Sequence, residues 1–523
     1  MPLPSAPEAN PDVTDITLLS SGLSLSSHAR SVSHSTTASA SELLLLDQEP
    51  ANDMAFQSPR KILKNFVLLA VAFSANHGAV TGCIGLASNR FGTETKLGAD
   101  LGTWQTGTLY LTYSLSAVTG APYLVQRLGS RNGILAGLVT YCIYVTAFLI
   151  ASLVPDETKW PVTILGAAIG GIGGGMLWTA QGKYFVSVSA AYAYSARIST
   201  PAATSYLGGL FAFFYLYEEV LMKVLVSVII ESESDSDDSN AWLVVFTAYT
   251  VISMLACLGV LQCYKFPLEI DPSPDDSSLC FRFTSATRIL FADRKMKYMV
   301  PLNAAFGAAS GFTIAFVSGQ VVHASGKDEF IGALTAVPPA VAAILSLALG
   351  RIGQRTGKGP ILIAGNLAFA AFAGAFLLSP GLNKGWAYLI LVYSLMGFGR
   401  ATFESTLRAT FADFFSHDTD GAFANIVLQS GLSSSLAFFL FPHITCSGGE
   451  SASEYCVEFQ DGTWHDVFAL ALIVIVLSVV AVLCYLRASV LFREEQEDPN
   501  SNINAANGSS SRYTRLNLND AAA

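Results

Sequence analysis

The chain has 523 residues, of which 52% are hydrophobic and only 13% charged, whereas soluble domains run to roughly 25% charged. So little polar side chain cannot clothe a water-facing globule of this size, which excludes an ordinary soluble enzyme and makes lipid the main solvent. The net charge of −10 disfavours a nucleic-acid partner, because such binding needs a basic patch to displace counterions.

Residues 1–59 are rich in Ser, Thr, Ala and Pro, show no sustained period, and lack the basic start and cleavage site of a signal peptide. They read as a disordered tail, and the run Leu43 to Leu46 inside it is too short to span a bilayer. From Ile62 onward, apolar stretches recur near the length that a helix needs to cross about 30 Å of hydrocarbon. Twelve are predicted, near 62–87, 101–125, 133–154, 161–185, 203–230, 241–264, 298–322, 330–350, 360–379, 386–411, 422–445 and 466–488. They are continuous rather than alternating, so helices and not barrel strands are expected.

Basic residues cluster in the even-numbered connections, among them Arg127, Arg131, Arg197, Arg288, Arg294, Arg355 and Lys358. The odd-numbered connections hold only Arg90, Lys96, Lys159, Lys327 and Lys384, so the positive-inside rule places both termini in the cytoplasm. The expected organisation is a tail (1–59), a six-helix bundle (60–266), a charged cytoplasmic linker (267–297), a second bundle (298–490) and a disordered cytoplasmic tail (491–523).

Internal similarity points to duplication. Gln126, Arg127 and Gly129, with Arg131 beyond, follow the second span; Gln354, Arg355 and Gly357, with Lys358 beyond, follow the eighth. The same Gln-Arg-x-Gly pattern thus sits at the same place in each half.

Twelve helices in two pseudo-repeated halves, each with a Gly-x-x-x-Asp-Arg-x-Gly-like loop, resemble the major facilitator superfamily. Gln126 and Gln354 stand where the family has Asp, and Pro122 where the first copy has Gly. In that family the loop latches the cytoplasmic side of the bundle, so the resemblance makes these two loops gate candidates without the usual acid. A narrower similarity is to the Unc-93-like branch, through Leu177-Trp178-Thr-Ala-Gln181-Gly-Lys-Tyr184, Met396-Gly397-Phe-Gly399 and Ala422-Phe-Ala-Asn425. The chain departs from that branch at Arg400 and Phe403, where an acid and a Trp are usual. The resemblance implies a transporter fold, yet animal members are associated with regulating potassium channels or escorting receptors. Two functions therefore stand open: a carrier of a small solute, and a non-transporting regulator or trafficking partner of another membrane protein.

In the superfamily the first, fourth, seventh and tenth helices line the central pathway, which makes Asn76, His77, Trp178, Gln181, Asn303 and Arg400 candidates by resemblance. The residues themselves single out Arg400, Glu404 and Arg408, because spacings of four place them along one helical face. Each such charge costs about 2.5–3.5 kcal/mol near mid-bilayer, so the stripe must face protein or water. On one reading Arg400, nearest the membrane centre, recognises an anionic or carbonyl-bearing solute while Glu404 holds or competes for it, and the solute moved is expected to be anionic or zwitterionic. On the other, Glu404 neutralises both arginines and Arg408 snorkels to the cytoplasmic surface. Glu218 and Glu219, one turn before Lys223, are proton-coupling candidates, with a plain Glu219–Lys223 pair as the alternative.

Other features carry less. Gly171 and Gly175 have the spacing that lets two membrane helices approach, and Pro338-Pro339 predicts a kink or local unwinding. The glycine run 170–175 does not fit a nucleotide loop, no catalytic triad or metal constellation is evident, and neither cofactor nor metal is expected. Cys446 and Cys456 share a polar loop and admit either an extracytoplasmic disulfide or free thiols. The acidic run 231–238 reads as a solvated connection, and the Asn507 sequon lies in a tail that glycosylation does not reach. Short patterns at Asp15–Leu19 and Tyr513–Leu516 resemble endolysosomal sorting signals, so plasma membrane and endolysosomal membrane both remain open.

Overall fold

A chain that crosses hydrocarbon must satisfy its backbone internally, and the computed structural model does so with helices. It describes residues 57–91, 95–96, 99–232, 238–266, 285–327, 330–448, 453–459 and 462–497. Nearly all of both expected tails, with the sorting-like patterns and the Asn507 sequon, lies outside these residues, as do the middle of the acidic run and linker residues 267–284.

Among the described residues twelve helical segments follow one another. They are α1 (Pro59–Phe91), α2 (Leu101–Thr119, continued as Ala121–Leu128), α3 (Ser130–Leu153), α4 (Asp156–Ala196), α5 (Thr200–Ser232) and α6 (Asp238–Leu261), then α7 (Arg294–Ala324), α8 (Ile331–Thr356), α9 (Gly359–Leu378), α10 (Trp386–Ala401, continued to Phe414), α11 (Thr419–Leu440) and α12 (Val467–Glu497). Nine are long and apolar enough to cross a membrane by composition alone. The other three are α2, which breaks at Gly120, and α5 and α10, which carry the buried charges. Outward-facing side chains such as Leu255, Leu258 and Leu483 are exposed on the bundle surface, where lipid solvates them.

Several boundaries differ from expectation. α4 has 41 residues, about 60 Å at 1.5 Å per residue, and so projects well beyond the hydrocarbon. α12 continues through 491–497, part of the expected tail, because Glu495 reaches back to the buried Lys295 ammonium. The charged linker ends in a short helix, Ser285–Ala292, and α7 begins at Arg294 behind an Asp293 cap that accepts from the Lys295 amide at 2.7 Å. α8 stays helical through Pro338 and Pro339 rather than unwinding. Two short antiparallel hairpins were not anticipated. β1 (Thr95–Lys96) and β2 (Ala99–Asp100) join α1 to α2; β3 (Cys456–Glu458) and β4 (Trp464–Asp466) join α11 to α12. Cys446 and Cys456 form a disulfide beside the second hairpin, with Cα atoms 6.0 Å apart.

The architecture is an all-α membrane fold of two pseudo-repeated six-helix bundles. The halves meet chiefly through α5 against α8 and α2 against α11, a pairing that maps onto itself when each helix is exchanged for its counterpart six places along. The repeated loops share a backbone as well as a sequence. Gly129 (φ 79°, ψ 159°) and Gly357 (φ 79°, ψ 168°) both occupy a positive-φ conformation that only glycine adopts without strain. Where α5 crosses α8 the backbones touch: a Cβ on Gly209 would lie 2.7 Å from the Ser346 carbonyl oxygen. Gly171 likewise lets α4 close on α2, since its Cβ would meet the Leu109 carbonyl oxygen at 2.3 Å.

Gly209→Leu is therefore expected to separate the halves and cost about 1–3 kcal/mol, the usual range for overpacking. Thermal unfolding of the purified protein in detergent checks this, with Gly374→Ala, whose Cβ meets nothing nearer than 4.0 Å, expected to leave the midpoint within a degree or two.

Candidate functional site

A cavity of about 1070 Å³ lies between the halves, walled by α1, α2, α4 and α5 on one side and α7, α8, α10 and α11 on the other. Arg400, Glu404 and Arg408 all line it. They do not form the single ladder that the spacing of four suggests, because α10 widens into a π-helical turn at Thr402–Leu407 between two α-helical parts. The widened turn separates their partners. Arg408 Nε donates to Glu404 Oε2 at 3.1 Å, whereas Arg400 turns to the opposite half. Its Nη1 and Nη2 donate to the two carboxylate oxygens of Glu219 on α5, at 3.0 and 2.5 Å. This fork on a carboxylate is the arrangement that a planar guanidinium makes best.

Glu219 is also paired with Lys223 at 2.9 Å, and the Lys223 ammonium donates to the Thr335 carbonyl of α8 at 2.8 Å. One carboxylate, 3% exposed, thus holds two cations and ties α5 to both α8 and α10. The expected Glu219–Lys223 pair is present, with Arg400 as an unanticipated third member. Glu218 is half-buried and does not line the cavity. Of the two cavity carboxylates, Glu219 serves two cations and Glu404 serves Arg408, so each is committed as a counter-ion.

Arg408 does not snorkel. Its side chain is 7% exposed, and its Cζ lies 4.2 Å from the centre of the Trp178 ring. Trp178 belongs to an aromatic box around His77, with Trp178 and Tyr215 at 5.0 Å and Tyr141 at 5.5 Å between ring centres. His77 and Trp178 line the cavity as the resemblance implied, but Asn76, Gln181 and Asn303 do not. Asn76 donates to the carbonyls of Leu138 and Ser253, holding α1 to α3 and α6. Asn303 donates to Gln429 at 2.6 Å, and Gln181 is buried in the packing of α4. A polar side chain on a cavity-forming helix can equally face the neighbouring helix. One residue along a helix turns it by about 100°, enough to exchange a place on the cavity for one in the packing.

The residues that sequence reasoning missed are mostly aromatic. Tyr110 and Tyr113 on α2, Tyr141 on α3, Tyr215 on α5 and Tyr393 on α10 all reach the cavity. The spacing of Tyr110 and Tyr113 was a usable signal, but tyrosines in an apolar helix look the same whether they line a cavity or pack. Phe403 stacks on Phe306 with ring centres 3.6 Å apart.

The two ends of the bundle differ. On the face where α1 begins and α12 ends, polar contacts cross between the halves. Asp420, at the start of α11, accepts from Gln126 Nε2 and Lys183 Nζ, each at 3.3 Å. Thr204 on α5 donates to Asp413 at 3.0 Å, and Lys358 binds both Asp413 and Thr204. Burial pushes the Lys358 ammonium below its ordinary pKa, and Asp413 pulls it back. Of the loop residues expected to gate, Gln126 and Lys358 bridge the halves. Arg131 instead donates to the carbonyls of Leu261 and Cys263 within its own half, while Arg127 is exposed beside Tyr123 and Gln354 and Arg355 are exposed. At the other end the cavity extends outward to His323, Phe441, Phe459 and His465, under the disulfide-bearing hairpin.

Two helical bundles thus clasp a cavity lined by charged and aromatic side chains, each bundle with the same glycine-turned loop. The family model described as Major Facilitator Superfamily matches residues 302–513. The chain is similar to UNC93-like protein 3 of Arabidopsis thaliana, with 23% identity over 366 residues, covering 67% of this chain and 76% of that protein. It is 22% identical over 417 residues to Protein unc-93 homolog A of Homo sapiens, covering 73% and 89%. Among solved structures it resembles the transporter FucP in the outward conformation (TM-score 0.58, 14% identity, 81% and 98% of the two chains). It also resembles the proton:xylose symporter XylE bound to 6-bromo-6-deoxy-D-glucose (TM-score 0.59, 13% identity, 82% and 94%). These likenesses support placing the chain in the Unc-93-like branch of the major facilitator superfamily.

Glu219→Ala, which leaves Arg400 and Lys223 buried without their carboxylate, is expected to destabilise the protein by about 3–5 kcal/mol. The double variant Glu219→Ala/Arg400→Ala should lose less than the sum of the two single losses in a double-mutant cycle of detergent unfolding.

Proposed function

We propose that this protein moves a small anionic or zwitterionic solute across its membrane by alternating access, with both chain ends in the cytoplasm. One observation carries the reading: among the described residues the cavity between the halves is lined by three cations (Lys223, Arg400 and Arg408) against two carboxylates (Glu219 and Glu404). A surplus positive charge in a low-dielectric pocket draws an anion, and a counter-ion that arrives with the solute discharges part of the burial cost. The polar contacts across the face where α1 begins and α12 ends, and the extension of the cavity to the opposite face, support an outward-facing state. In that state Asp420 and Asp413 act as the cytoplasmic latch in place of the acid missing at Gln126 and Gln354. The basic connections on the same face support its cytoplasmic placement. The halves would rock about the cavity while solute binding shifts the balance between the two openings.

Purified protein in liposomes is expected to take up an organic anion saturably. Lys223→Gln, which removes the surplus charge while Arg400 still holds Glu219, should lower that uptake about tenfold or more. Absence of uptake across anionic, zwitterionic and neutral solutes, together with stoichiometric co-purification of another membrane protein, would reverse the reading in favour of a regulator or trafficking partner.

A further inference from the structure

We infer that the cavity takes a planar aromatic monoanion of the arylcarboxylate class, and that Arg408, rather than Arg400, holds its carboxylate. This rests on the transport reading for its purpose but not for its binding chemistry.

The two arginines differ in what they have left to give. Both Nη groups of Arg400 are used on Glu219. Arg408 commits only Nε, to Glu404, and its two Nη groups have no hydrogen-bond partner among the described residues although the side chain is 7% exposed. A buried guanidinium with both terminal nitrogens uncommitted is a fork prepared for a carboxylate. It is held in place from two sides, by Glu404 and by the face of Trp178 at 4.2 Å.

The rest of the wall selects the body of the ligand. Trp178 and Tyr215 are 5.4 Å apart between ring centres, beside Arg408, and Tyr110 and Tyr113 complete an aromatic surface on α2. A neutral polyol is held by fixed hydroxyl, amide or charged groups alike, but it would leave the surplus positive charge of the cavity unanswered. Among the described lining residues Gln320, near the outer end, is the one amide, since Asn76, Gln181 and Asn303 are turned into helix packing. A zwitterion would need a carboxylate for its ammonium, and Glu219 and Glu404 are both already occupied by cations. What remains is one surplus positive charge and a broad aromatic surface, which fit a single anionic group on a flat ring.

Equilibrium binding of radiolabelled benzoate to the purified full-length protein in detergent tests this, with phenylacetate, hexanoate, glucose and benzylamine as competitors. Saturable benzoate binding displaced by phenylacetate, and not by the other three at equal concentration, is expected. Arg408→Lys, which keeps the charge and removes the fork, should weaken binding about tenfold or more. Glu404→Gln, whose amide oxygen still accepts from Arg408 Nε and keeps the guanidinium in place while the competing negative charge is removed, should tighten it, a gain that misfolding cannot imitate. Hexanoate competing as well as phenylacetate would overturn the aromatic assignment. Unchanged binding in a folded Arg408→Lys protein, or unchanged or weaker binding in Glu404→Gln, would overturn the role of Arg408. Benzoate binding without uptake into liposomes would defeat the transport reading and leave this assignment standing; uptake of aliphatic or neutral solutes without benzoate binding would do the reverse.

Discussion

The structure depends on a single constraint, that a charge inside a membrane protein must be answered by another charge. Glu219 answers two. Through Arg400 and Lys223 it joins α5 of the first half to α10 and α8 of the second, at the wall of the cavity. An unpaired charge at that depth costs several kcal/mol, so α5, α8 and α10 cannot move apart without paying for it. The cavity keeps its shape because the charges that line it are also the charges that hold it together.

The same rule governs the contacts of the two repeated loops, neither of which carries an acid at Gln126 or Gln354. Gln126 is neutral and cannot meet a cation across the interface by itself, but Asp420 at the head of α11 supplies the missing charge and gathers both Gln126 and Lys183. In the second copy Gln354 is exposed, and the contact across the halves is made by Lys358, which reaches Asp413 and Thr204. The duplicated glycine turns are geometrically alike, yet the contacts made beyond them are not, because each loop faces a different partner helix. Duplication conserved the backbone while the electrostatics diverged.

How far the site was legible follows from how local its determinants are. The stripe of Arg400, Glu404 and Arg408 was visible as a spacing, and its placement on the cavity follows from the cost of putting charge in lipid. Its internal pairing was not visible. A π-helical turn of six residues, Thr402–Leu407, re-aims the side chains on either side of it, and nothing in the local composition announces it. Nor could Asn76 be told apart from His77. They are adjacent in sequence, one turned to α3 and α6 and the other to the cavity, and only the packing of neighbouring helices decides which is which.

By itself the sequence determined the solvent, the number of helices, their grouping into two related halves and the helix that carries the densest charge. Each of these is a property of a segment or of a repeated pattern, and hydropathy and spacing report such properties directly. The tertiary structure decided which charges are spent on one another and which are left facing the cavity. Glu219 and Arg400 are 181 positions apart and meet only because two half-molecules fold against each other, so their pairing belongs to the interface and to no segment of the chain.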